Sequence, residues 1–344
     1  MKVDRRVVVQ AAGFALGLAL LGWCVHVALR PENRGALENL RQAPGELVAA
    51  MIGLSLTTLF LNATTFWTAI FPVKRLPFWE VQATNAGAAL CNYAPFKLGA
   101  VLRFVVHSRR HGVPLITIAA WIAAVTLTMT VALTPLIAAG MWRKQADALF
   151  WVGLLVGTAA TYAVALAVAR VFAHAQGLAR LHRMSDRPGL RWLLRLMRTR
   201  AFLHLHAGFA MMAHPGSFGL GVAMRVLDLL VQAARFMVAA RLVGMDLTFE
   251  GALIVSGAYF LVSVVSPAGS LGVREYIASR LALFGMSMDS LTVVALTVTA
   301  SEMVVYMVCG TAGLLYLRPG RGTGAAAAEG GAGGGGGGVG DVGG

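Results

Sequence analysis

Six apolar runs, each long enough to carry a helix through a lipid bilayer, constrain this chain more than any other feature. They cover residues 7–29, 47–71, 115–139, 148–169, 217–243 and 290–317. Crossing the hydrocarbon core takes roughly 20 apolar residues in a helix, the form that satisfies its own backbone N–H and C=O groups where water is absent. With 58% hydrophobic residues, 13% charged residues and a mean hydropathy of +0.71, the composition excludes a soluble globular domain. The sequence predicts an all-α polytopic membrane protein with about six transmembrane helices.

The first run follows Lys2, Arg5 and Arg6, is too long for a secretory leader and has no small-x-small cleavage site. Residues 1–46 are therefore read as an uncleaved signal-anchor helix and an outer loop. Cys24, Cys91 and Cys309 lie far apart, in or beside apolar segments, and are read as packing residues rather than as a disulfide framework or a metal site.

Loop charge gives the orientation, because short cytoplasmic loops are enriched in Lys and Arg. With the N-terminus inside, the cytoplasmic side collects Lys74 and Arg75, Arg109 and Arg110, the arginines between 170 and 200, and then Arg318 and Arg321. Opposite loops are balanced, as with Arg30, Arg34 and Arg41 against Glu32, Glu38 and Glu46. Both termini are expected in the cytoplasm of a bacterial-type inner membrane.

This orientation holds only if two shorter, Gly/Pro-broken stretches, 78–106 and 249–284, do not cross. Each is expected to be a re-entrant helical hairpin, the first entering from the inside and the second from the outside. Residues 47–169 and 215–319 then form one unit used twice with inverted topology, a transporter-like architecture. Between them, residues 170–214 read as a basic amphipathic linker lying on an anionic lipid surface rather than on nucleic acid. The Gly-rich tail, 320–344, is expected to be disordered.

The candidate site comes from the hairpin turns and from charges inside the apolar runs. The first turn contains Asn92, Pro95, Lys97, Gly99 and Arg103, and the second Gly269, Ser270, Gly272, Arg274 and Glu275. Such turns free backbone N–H groups at half-helix starts, which favour anions, and the basic side chains add charge. Arg225, Asp228, Gln232 and Arg235 fall on one helical face. Charges at that depth are costly and usually line an interior cavity, although Arg225 and Asp228 could equally be a neutralising pair. Glu302 lies midway along the last run and joins the same predicted substrate-binding set.

His107 with His111, and His204 with His206, lack the carboxylate or cysteine pattern of a metal site and read as solvated or interfacial. No nucleotide-binding loop, zinc-protease helix or serine elbow is present. The sequence calls for no cofactor, no metal and no catalytic residue.

At its two turns the chain resembles the lysylphosphatidylglycerol synthase transmembrane-region family. Pro95, Gly99 and Arg103 match the family's early Pro-x-x-x-Gly-Glu-x-x-Arg turn, and Gly269, Leu271, Gly272 and Glu275 match the later Pro-Gly-Gly-x-Gly-x-x-Glu turn. Ala100 stands where the family usually has Glu, and Ser270 stands in place of a Gly. The resemblance implies a flippase-like membrane domain in its stand-alone form. A Gly tail cannot house a synthase domain, so lysyl transfer is not expected.

The function expected is transport or presentation of an amphipathic envelope lipid of the phospholipid, glycolipid, polyprenyl or hopanoid type. Membrane lipids are its partners, together with lipid-biosynthesis enzymes. A membrane-embedded lipid-modifying transferase, and a non-transporting partner of such enzymes, are the alternatives.

Overall fold

The computed structural model describes residues 5–94, 98–143, 147–185, 199–265, 272–280 and 288–318. Pro95, Lys97, Gly269 and Ser270, and the Gly-rich tail, lie outside the described residues. Within them the chain forms thirteen α-helices and no strand: α1 (Arg5–Ala28), α2 (Arg34–Arg41), α3 (Gly45–Ile70), α4 (Phe78–Cys91), α5 (Leu98–His111), α6 (Leu115–Arg143), α7 (Ala148–Phe172), α8 (His174–Ser185), α9 (Arg200–Ala213), α10 (Pro215–Leu242), α11 (Phe249–Val265), α12 (Val273–Arg280) and α13 (Met288–Tyr316). The chain is an all-α polytopic membrane protein.

Among the described residues four stretches are long and apolar enough to cross a membrane by length and composition: Gly45–Ile70, Leu115–Arg143, Ala148–Phe172 and Ser290–Tyr316. Six were expected. The 28-residue α10 has the length, but carries Arg225, Asp228 and Arg235 in its middle. Around α10 the polar and charged side chains share the buried face with Gly221, Val222, Leu229, Ala233 and Phe236, while Leu220 and Leu227 face outward. That inversion of the soluble pattern follows from an apolar surround, where charge is tolerated only inside.

The two broken stretches form helix pairs. In the first, α4 and α5 run antiparallel in a register fixed by polar contacts. Arg103 of α5 donates to the Asn85 side chain of α4, while Arg110 pairs with Glu80 at 3.0 Å and His111 contacts the same carboxylate at 2.6 Å. Gly99 permits the close approach: a Cβ there would run into the Ala88 carbonyl oxygen and the Asn92 side chain. At 14 residues each, these helices are roughly 21 Å long, short of the roughly 30 Å hydrocarbon core.

In the second pair α11 packs on α12. Gly272, at φ +79°, starts α12 against α1, where any Cβ would strike the Gly17 carbonyl. The Trp23 and Tyr276 rings close the same contact edge-on at 5.3 Å.

Each pair lies against the long helix that closes the other half of the chain, α4 on α13 and α11 on α6, while α3 and α10 pack along one another at the centre. Two apolar clusters flank the central helices. One gathers Met129, Leu136, Phe150, Leu229, Phe236 and Tyr259; the other Phe66, Trp121, Val125, Met211 and Phe218. Met211 and Met212 of α9 are buried, and α9 packs on α6 and α7, so the end of the stretch read as a surface linker is part of the core.

Candidate functional site

Between the two apolar clusters is a cavity of about 250 Å³, lined from α3, α4, α5, α6, α10, α11, α12 and α13 and from the turn after α4. It has room for roughly eight waters at their liquid volume, hence for a small polar group and not for an acyl chain with it. Its charged lining is Arg103, Arg225, Asp228, Arg274 and Glu302. Arg235 and Glu275, fully buried, are ion-paired to that lining.

Glu302 is the hub. Its two oxygens take Arg235 of α10 and Arg274 of α12 at 2.9 Å each, and the hydroxyls of Tyr93 and Tyr259 approach Oε2 at 3.4 Å. Arg274 turns its Nε to Glu275 at 2.9 Å and donates to the Tyr93 hydroxyl at 3.2 Å. Its guanidinium stacks over the Tyr259 ring at 4.4 Å. Thr299 donates to Glu275 at 2.6 Å. Two to three turns earlier on α10, Arg225 pairs with Asp228 at 2.7 Å and reaches Asn62 of α3 at 3.1 Å. Buried charges are stable only when paired and hydrogen-bonded in this way, because desolvation otherwise exceeds the attraction gained.

Of the residues singled out from the sequence, Asn92, Arg103, Arg225, Asp228, Arg274 and Glu302 line the cavity. Arg235 and Glu275 pair with the lining, whereas Gly99 and Gly272 act as close-packing positions beside it. Arg225 and Asp228 are the neutralising pair that sequence left open, and they are also cavity lining.

Sequence reasoning missed the neutral part of the wall: Thr58, Asn62, Phe66, Tyr93, Tyr259 and Tyr306. Asn62 carried a signal, being an amide inside an apolar run. The aromatics did not, since rings in such runs usually pack against lipid or core.

The His107–His111 pair differs from the solvated reading. His107 is 1% exposed, lies tilted against the Trp121 ring at 4.8 Å and shares a hydrogen bond with His111 at 3.2 Å. The carboxylate missing from the local sequence comes from Glu80 of α4. Among the described residues no three or more His, Cys, Asp or Glu side chains are grouped to hold a metal ion.

The cavity reaches the outside on one flank. Thr126 lines it and is exposed on the outer side of α6, next to Leu127, and on the neighbouring α5 Val101 and Val105 are exposed as well. The Thr126 hydroxyl is returned to its own helix, donating to the Ile122 carbonyl at 2.9 Å, which leaves this rim apolar in character.

The sequence profile of the family described as lysylphosphatidylglycerol synthase TM region matches residues 10–321. No curated protein and no solved structure matches the chain.

Proposed function

Because the chain belongs to the lysylphosphatidylglycerol synthase TM-region family, a membrane family related to lipid handling, we propose that it moves or presents an amphipathic envelope lipid across the inner membrane. One observation carries the reading: a charged cavity among apolar helices that is headgroup-sized and reaches the outer surface beside Thr126. A lipid entering on that flank would place its polar head among Arg103, Arg225, Asp228, Arg274 and Glu302 and leave its chains in the bilayer.

Two further features support transport over static packing. Charge inside an apolar surround is expensive and is found where a pathway needs it. The paired hairpins, each against the closing helix of the other half, suit re-entrant elements in an inverted repeat. In this reading α4–α5 enters from the cytoplasm, α11–α12 enters from outside, and both termini are cytoplasmic.

The test is leaflet exchange of labelled phospholipids, glycolipids and polyprenyl lipids in proteoliposomes, comparing the full chain with Arg103→Gln and Glu302→Gln. Exchange above the protein-free rate that both variants reduce is the expected result. Exchange unchanged in both variants, or turnover of the lipid into a new product, would overturn the reading.

A further inference from the structure

The charge balance of the cavity deepens that reading, on which it rests, by naming the headgroup. Among the described residues four arginines, Arg103, Arg225, Arg235 and Arg274, meet three carboxylates, Asp228, Glu275 and Glu302, so this cluster carries one excess positive charge (4 − 3 = 1). The pairing shows where the excess sits. Asp228 takes Arg225, Glu302 takes Arg235 and Arg274, and Glu275 takes Arg274.

Arg103 lines the same cavity and is bound only by neutral groups among the described residues: the Asn85 side-chain oxygen and the face of the Phe66 ring, 4.2 Å away. One turn earlier on α5 the cavity wall is the methyl group of Ala100.

We propose that the cavity binds an anionic lipid phosphate headgroup, with Arg103 as its counter-charge. Guanidinium groups match phosphate oxygens in geometry and bind them by charge-assisted hydrogen bonds. A cationic headgroup would find every carboxylate already held by arginine and would add to the excess. Asp228 Oδ1, which has no partner among the described residues, does not alter this, since Asp228 has its counter-charge at Oδ2. The apolar rim beside Thr126 selects a lipid over a soluble phosphate, because only the lipid gains from leaving chains there.

The experiment measures affinity of the delipidated full chain in uncharged detergent for dihexanoyl phosphatidic acid, dihexanoyl phosphatidylcholine, its cationic ethyl ester and inorganic phosphate. Phosphatidic acid should bind at least about tenfold tighter than the other three, the size of one charge-assisted hydrogen bond. Arg103→Gln and Ala100→Glu should each abolish that preference, and Arg103→Lys should keep part of it. Size-exclusion profiles identify any variant that does not fold, and Ala100→Glu tests the charge without removing an arginine.

Equal binding of the zwitterionic or cationic lipid, or a preference that survives both Arg103→Gln and Ala100→Glu, would overturn the inference. Inorganic phosphate matching phosphatidic acid would overturn the lipid assignment. Phosphatidic acid binding without leaflet exchange of any lipid would end the transport reading and leave this one standing. Exchange of zwitterionic lipid without Arg103-dependent phosphatidic acid binding would do the reverse.

Discussion

Arg235 of α10 donates through Nη1 to Glu302 Oε1 of α13 at 2.9 Å, and both side chains are almost completely enclosed, at 0% and 3% exposure. The pair joins two helices of the same half, while Thr58 of α3, 3.5 Å from the same Nη1, ties in the other. Removing one member leaves its partner as an uncompensated buried charge.

Glu302→Gln should therefore lower stability by about 3–5 kcal/mol, the cost of breaking a buried pair. Thermal unfolding in detergent reads this directly. Arg235→Gln combined with Glu302→Gln should be more stable than the sum of the single losses, because the double variant leaves no orphan charge at that pair. Strict additivity would show that the two side chains are not coupled.

Gly99→Ala should destabilise the α4–α5 pair by roughly 1–3 kcal/mol, since the added carbon meets the Ala88 carbonyl and the Asn92 side chain. Gly53→Ala in α3, where a Cβ meets nothing within 4 Å, should be neutral or gain up to about 1 kcal/mol from helix propensity. The contrast between the two, in one unfolding assay, separates close packing from a general effect of losing glycine.

Glu80→Gln should loosen the open end of the same pair, because one carboxylate serves both Arg110 and His111. The site is partly exposed, so the loss should be about 1 kcal/mol or less. Faster hydrogen exchange confined to α4 and α5, with the rest of the chain unchanged, is the signature to look for.

Topology has its own measurement. In a chain lacking Cys24, Cys91 and Cys309, Arg75→Cys and Asp246→Cys occupy exposed positions on either side of the α4–α5 pair and the three spans that follow it. They should label from opposite faces of the membrane if the α4–α5 pair returns to the side it entered. Labelling from the same face would remove the inverted-repeat reading.

Sequence by itself determined the solvent. Runs of roughly 20 apolar residues leave a helix as the only way to satisfy the backbone in lipid, so the all-α membrane class could be read without coordinates. It also located the charges, because an Arg or Asp in such a run stands out and the period of the helix puts Arg225, Asp228 and Arg235 on one face. The positions of both broken stretches were visible in Pro and Gly.

Only the tertiary structure decided the pairing. Glu302 meets Arg235 and Arg274 from residues 67 and 28 positions away, His111 finds Glu80 on another helix, and Arg103 is left with neutral partners. Hydropathy and period describe each helix alone, and neither encodes which faces meet. Which charge is cancelled and which remains for a ligand is fixed by distance in space, and at 332/(εr) kcal/mol that distance sets the energy.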